Sequence, residues 1–329
     1  MKANRVMFHE FGKPEDVLIV MNQRINPLAD GEVLVRMKMC PINPSDLIPI
    51  RGSYSHRISL PAIPGYEGVG IVEEVGPSVS HDLIGKRVLP LRGEGTWQEV
   101  VRAPAKWLIP IPDEMDDTIA AQLYINPVTA FVICTEILYL GPGDYLLMNA
   151  AGSAIGRLFA QLARIIGFQF IAVTRNPVYT EELLKLGASH VIDTSVRPLQ
   201  ESVMEITNGK GVNAAIDSIG GLDGTQLAYC VRPEGNFLTI GLLSGTQIQW
   251  KEVSMRTKVN VKLFHLRHWN KQVSVQKWQE TFHKLMTLVT EQRLTLASPE
   301  SFFNLVKVRE AVRESEASNR SGRKVFIEI

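Results

Sequence analysis

Between Asp144 and Arg175 the chain passes through an apolar strand, a loop of small residues, a helix and a second strand. Tyr145-Leu-Leu-Met-Asn149 follows the turn Gly141-Pro-Gly-Asp144 and is mostly apolar, as suits a parallel strand covered on both faces. After the loop Ala150-Ala-Gly-Ser-Ala-Ile-Gly156, the residues Ile155, Leu158, Phe159, Leu162, Ala163 and Ile166 recur at helical spacing. Phe168 to Val173 then reads as the next strand. Two parallel strands need a long crossover, and the helix supplies it.

A strand, a glycine-bearing turn and a helix N-terminus together form a site for a diphosphate, held by free N–H groups and the helix dipole. The residues that cradle it here are Gly152, Ser153, Ala154, Ile155 and Gly156. The dinucleotide fingerprint has three glycines and this loop has two, so an ordinary tight βα turn remains open on this pattern alone. The end of the second strand narrows the choice. NAD sites place an acidic residue there to take the ribose hydroxyls, whereas this strand ends Val173-Thr174-Arg175-Asn176 without a carboxylate. A planar guanidinium at Arg175 can grip a 2′-phosphate through paired charge-assisted bonds, and the cofactor is therefore read as NADPH. A solvated loop arginine is the alternative, and it leaves the missing carboxylate unexplained.

With 329 residues, 45% of them apolar, the chain can bury two ordinary cores. The formal charge is +1 and no basic run or basic helix stands out, which argues against nucleic acid or an anionic membrane surface as partner. No apolar stretch is long enough to span a bilayer. The N-terminal residues lack a signal-type apolar segment, and Cys40, Cys134 and Cys230 are odd in number and far apart. A reducing, cytoplasmic setting is the expectation.

Residues 1 to about 115 are short segments with strand character, punctuated by Pro and Gly, such as Glu32–Lys38, Gly68–Val75 and Lys86–Pro90. From about residue 118 helices and strands alternate. Helices are expected near Thr180–Leu186, Leu199–Thr207 and Asp223–Val231, and strands at His190–Ile192, Asn213–Asp217, Asn236–Ile240 and Val259–Phe264. The fold class is α/β, an irregular β domain followed by a doubly wound parallel sheet. The division runs 1–117 with 268–329 for the first domain and 118–267 for the second. A long amphipathic helix near Val273–Arg293 and a last strand Lys324–Ile329 return to the first domain.

With these elements in order, the chain resembles the medium-chain dehydrogenase/reductase superfamily over essentially its whole length, and the resemblance implies a GroES-like first domain and a Rossmann second domain. Zinc members of that superfamily carry a ligand Cys two residues before a Ser/Thr-Asp pair and a His in a Gly-His-Glu motif. Here the matching residues are Asn43-Pro44-Ser45-Asp46 and Gly65-Tyr66-Glu67, and no four-cysteine lobe is present. A catalytic zinc needs about three protein ligands, so no metal is expected. Within the zinc-free branch, Ile42–Asp46, Gly52-Ser53-Tyr54, Pro64–Gly68, Gly95-Thr96-Trp97, Asn126–Ala130 and Val173–Arg175 resemble the mitochondrial-type 2-enoyl thioester reductases in order and spacing. That resemblance implies a catalytic role for Tyr54 and an NADPH-reading role for Arg175. It also implies that Asn126, Thr129, Thr174, the Asp217–Gly221 loop with Ser218, and the Thr239–Leu242 turn with Gly241 and Leu242 lie along the cofactor.

The chemistry so implied is hydride delivery from NADPH to an electron-poor carbon of a small molecule: an enoyl thioester, an enone or a quinone. For an enoyl thioester a Tyr hydroxyl can bond the carbonyl oxygen or relay a proton, a contribution of roughly 10²–10⁴-fold. Tyr54 is the candidate; a gate or wall residue is its other reading. Asn43 lines the nicotinamide end of the cleft, where it orients substrate or only fixes the loop before Pro44. Trp97 either flanks the substrate channel or is a core aromatic. Phe264 is followed by His265 where the thioester reductases have Phe-Trp shaping the acyl pocket. This departure keeps NADPH:quinone oxidoreduction open as the alternative activity, beside a third reading as a cofactor-binding protein without turnover. The strand Val259–Phe264 is either the contact of a homodimer, as the resemblance implies, or an edge protected by Lys258 and Lys262.

Overall fold

The computed structural model describes residues 2–53, 55–318 and 322–329. It divides into two units, one comprising Met1–Ile125, Ser274–Thr290 and Leu296–Ile329, the other Asn126–Val273 and Glu291–Thr295.

The first unit is built on a seven-stranded sheet centred on the long strand Glu32–Pro41. That strand pairs antiparallel with Val69–Val75, Val100–Pro104 and Lys324–Glu328. Alternation along its partners turns Val33, Val35, Met37, Val101, Val325 and Ile327 into one buried cluster. The irregular, turn-rich texture of the sequence is real. Gly65, with φ +93°, has no room for a side chain, because a Cβ there would lie 2.3 Å from the Trp97 ring.

The second unit is a six-stranded sheet with every neighbouring pair parallel. Across it run His190–Asp193, Gln169–Thr174, Tyr145–Met148, Val212–Asp217, Val231–Thr239 and Asn260–Leu263. In chain order this is 3-2-1-4-5-6, the doubly wound arrangement that opens a crevice at the carboxyl ends of its central strands. Leu146, Leu147, Met148, Phe170, Ile171 and Ala172 are fully buried, which accounts for the continuous apolar runs. The crossover helix Ala154–Ile166 begins at Ser153, whose hydroxyl accepts from the Gly156 N–H, and ends at Gly167 with φ +99°.

Two features differ from the sequence reading. The strand expected from Asn236 begins at Val231, and it absorbs Pro233-Glu234-Gly235 as an irregularity. Glu234 takes φ +60° there, so residues that read as a turn are a bulge inside the ladder. Helices Ile125–Val132, Trp250–Arg256, Leu266–Gln272 and Val308–Ser318 have no counterpart among the expected elements. The first of them opens without a Ser, Thr, Asp or Asn cap and runs on as a π-helical turn, Ile133–Ile137.

Candidate active site

The small-residue loop sits where its sequence requires. Ala150 leaves the strand Tyr145–Met148 with φ +51°, a conformation few non-glycine residues adopt outside functional loops. A Cβ on Gly156 would lie 2.2 Å from the Ala151 carbonyl oxygen, and one on Gly152 would lie 2.8 Å from the Tyr179 ring. The two glycines therefore let the helix start close against the strand end and let Tyr179 cover the loop. Arg157 donates to the Gly152 carbonyl and pairs with Glu182 at 2.8 Å, so the loop is also tied from the helix side.

Beside this loop lies a cavity of about 280 Å³, lined among others by Asn149, Ala150, Thr174, Arg175, Thr194 and Ser244. Thr174 and Arg175, both sequence candidates, share it with Ala150, which opens the small-residue loop; Asn149, Thr194 and Ser244 carry no motif that marks them. Asn149 works with Asp217. Its amide donates to Asp217 Oδ1 at 2.5 Å and its carbonyl accepts from the Ser218 N–H at 2.8 Å. Asp217 also accepts from the Ile219 and Gly220 N–H groups, so this buried pair shapes the loop that carries Ser218. Gly241 packs on that loop, with no more than 3.0 Å between a would-be Cβ and the Ser218 carbonyl. Leu242 approaches Gly220, also part of it. Thr129 is buried in the helix Ile125–Val132, which carries Asn126 as well. Of the small-residue loop, Ala150 lines the cavity, together with Thr174, Arg175 and, from the Asp217–Gly221 loop, Ile219; Gly152–Gly156 are not part of its lining. An arginine on a cavity beside a glycine-bearing strand–helix turn suits a phosphorylated dinucleotide.

In the first unit Asn43, Asp46, Glu67 and Lys324 are all buried. Asn43 Nδ2 donates to Glu67 Oε1 at 2.7 Å, Lys324 Nζ donates to Asn43 Oδ1, and the Asn43 N–H donates to Asp46 Oδ2 at 2.7 Å. The other oxygen of Glu67 accepts from the N–H groups of Tyr124 and Ile125, at 3.1 and 2.7 Å. Burial pushes the carboxyl of Asp46 up to about 7, assisted by the charge of Glu67 and opposed by the Asn43 N–H. Burial likewise raises Glu67 and lowers Lys324, each being partly restored by the other's charge.

Of the three side chains expected in the substrate pocket, Trp97 belongs to the first unit and Phe264 and His265 to the second. Trp97 is fully buried in the core of the first unit, the second of the two placements its sequence context allows. Phe264 is buried in the second unit, and its N–H donates to the Thr239 carbonyl at 3.0 Å. His265 caps the helix Leu266–Gln272 through Nδ1, which accepts from the Arg267 N–H at 3.2 Å. Trp269, one turn further on, is buried with its indole N–H on Glu136 at 3.0 Å. Tyr54 lies outside the described residues.

Known proteins are similar to this chain in sequence and in fold. A family model described as the alcohol dehydrogenase GroES-like domain matches residues 29–113, and one described as zinc-binding dehydrogenase matches residues 154–291. The mitochondrial enoyl-acyl-carrier-protein reductase of Mus musculus is 31% identical, over 90% of this chain and 81% of that protein. The enzyme of the same name from Caenorhabditis elegans is 33% identical, over 86% of this chain and 82% of its own length. The chain belongs to the medium-chain dehydrogenase/reductase superfamily. A protein of Bacillus thuringiensis described as a candidate NADPH:quinone reductase has a crystal structure that superposes with a TM-score of 0.98. It is 58% identical, over 100% of this chain and 99% of that one.

The superfamily contains zinc enzymes, and this member's donor set does not fit zinc. Asn43 and Tyr66 stand at the two ligand positions, and the Asn43 amide is bonded to an ammonium and a carboxylate. Among the described residues no three His, Cys, Asp or Glu side chains come together as a metal site. The thiols are not poised for ligation or attack either. Burial pushes Cys230 up to about 12 and raises Cys40 and Cys134 still further. Among the described residues no helix of this superfamily member is long and apolar enough to cross a membrane.

Proposed function

We propose that the protein is a zinc-independent, NADPH-dependent oxidoreductase that reduces an activated C=C bond, that of a trans-2-enoyl thioester or enone. The observation that carries this is the cavity that Thr174 and Arg175 share with Ala150, the first residue of the small-residue loop, at the ends of the strands of the doubly wound sheet. The enoyl-acyl-carrier-protein reductases to which the chain is similar support the acceptor.

In this reading NADPH supplies the hydride. Gly152, Ser153, Ala154, Ile155 and Gly156 hold its diphosphate, Arg175 and Thr174 its 2′-phosphate, and Ser218, Gly241, Leu242, Asn126 and Thr129 the remainder. Reduction at Cβ of an enoyl thioester puts negative charge on the carbonyl oxygen and requires a proton at Cα. Tyr54 hydrogen-bonds that oxygen or relays that proton, on the strength of its Gly52-Ser53-Tyr54 context. Asn43 fixes the loop before Pro44, because both ends of its amide are engaged inside the protein.

Quinone reduction is the second reading. It is favoured by His265, a helix-capping side chain where the thioester reductases carry Trp, and by the similarity to the Bacillus thuringiensis protein. NADPH oxidation measured with trans-2-enoyl-CoA of several chain lengths and with 1,4-benzoquinone separates the two. Turnover of the thioesters is expected; turnover of the quinone alone would establish the second reading instead.

The strand Asn260–Leu263 ends the six-stranded sheet with all four residues exposed, Leu263 at 69%. An edge of this kind is a template for pairing, and we propose that it pairs with a second copy in a homodimer. Sedimentation equilibrium is expected to return twice the 36.7 kDa chain mass and, for Val261→Pro, a monomer. A monomeric parent protein would refute the pairing.

A further inference from the structure

A lysine with its charged end inside a protein needs a reason, and Lys324 is 4% exposed at the start of the last strand of the first unit. Its ammonium donates to Asn43 Oδ1, and the amide of the same residue donates onward to Glu67 Oε1 at 2.7 Å. The order ammonium–amide–carboxylate admits one orientation of Asn43 only. Turned over, its oxygen would face the carboxylate and its NH₂ the ammonium. Each bond polarises the next, which strengthens such a chain in a site of low dielectric.

Glu67 is the end that matters for the rest of the molecule. Its carboxyl oxygens accept from N–H donors: Asn43 on one oxygen, and the backbone of Tyr124 and Ile125 on the other. A carboxyl group that only accepts is in its ionised form, so a negative charge is buried at the residues immediately before Asn126. Asp46 accepts from the N–H groups of Asn43 and Tyr66 and adds a second acidic group. Lys324 is the buried cation that faces both.

We propose that Lys324 is a positioning residue, an internal cation that locks Asn43 and holds Glu67 on the backbone N–H groups that open the helix bearing Asn126 and Thr129. It contacts no reactant. Its effect is to fix two cofactor-facing residues without a metal at a place where the zinc members of the superfamily carry a ligand. The functional part rests on the assignment of Asn126 and Thr129 to the cofactor; the charge coupling itself does not.

The test is a double-mutant cycle on the full chain with Lys324→Met, Glu67→Gln and the pair, read by thermal midpoint, NADPH affinity and turnover of whichever acceptor the wild type reduces. Lys324→Met leaves the buried acidic groups without their cation. It is expected to lower the midpoint and to cut kcat at least tenfold, while NADPH affinity, set by the phosphate-binding loop and Arg175, stays within about threefold. The pair, with the charge balance restored, is expected to be at least as stable as Lys324→Met alone. Wild-type midpoint and kcat in Lys324→Met would overturn the proposal, as would strictly additive losses in the pair. If Lys324→Met yields no folded protein, recovery of folded protein in the pair supports the coupling. A pair that fails to fold while Glu67→Gln folds overturns it. Coupling in the midpoint with no change in kcat would retain the charge pair and refute the positioning of Asn126 and Thr129.

Discussion

Replacing Arg175 with Ala is expected to raise the KM for NADPH between ten- and a hundredfold and to leave the kinetics with NADH almost untouched. Arg175 lines the cavity beside the Ala150–Gly156 loop, and the strand it follows ends without the carboxylate that an NAD site uses. Charge-assisted hydrogen bonds contribute roughly 1.5–3 kcal/mol each, and each 1.4 kcal/mol is about tenfold in affinity. The guanidinium is exposed, so salt should screen it and the loss should shrink as ionic strength rises. Initial rates with both nucleotides, at low and high salt, check this. Equal losses with NADPH and NADH would show that Arg175 holds the loop rather than reads the phosphate.

Tyr54→Phe is the second large effect. It removes one hydroxyl and little volume, so the fold and NADPH affinity should persist. Thioester turnover should fall roughly a hundredfold, within the range that a positioned proton donor contributes. Reduction of 1,4-benzoquinone has no carbon to protonate and should stay within a fewfold of wild type. A thioester rate unchanged by the substitution would make Tyr54 a wall residue. Measuring both acceptors on one preparation distinguishes loss of the donor from loss of folded enzyme.

Much of the second unit is legible in the chain because its determinants are local. The strand Tyr145–Met148 announces itself by an unbroken apolar run, and the helix Ala154–Ile166 by its spacing, its Ser153 cap and its terminal Gly167. Thr174 and Arg175 are marked by their position at the end of the second strand and share the cavity. Asn149 and Thr194 escape a reading by motif, since neither belongs to the glycine pattern; the ends of the first and third strands are what bring them there. The bulge at Glu234-Gly235 reads as a turn because its residues suit either.

The network in the first unit is harder to read. Glu67 stands out by its place in Gly65-Tyr66-Glu67, but its partners at Tyr124 and Ile125 are backbone groups that carry no side-chain signature. Lys324 and Asn43 are 281 positions apart. A lysine opening a strand reads as a solvated end, and the pairing of the last strand between Pro299–Asn304 and Glu32–Pro41 brings it inside. Non-local pairing of single polar residues leaves no periodicity to detect.

The central claim, hydride to carbon, is tested most directly by isotope. With NADPH deuterated at C4 and crotonyl-CoA as acceptor, the expected product is butyryl-CoA carrying deuterium at C3 and a solvent-derived hydrogen at C2. Consumption of NADPH by 1,4-benzoquinone with no deuterated thioester formed would contradict it.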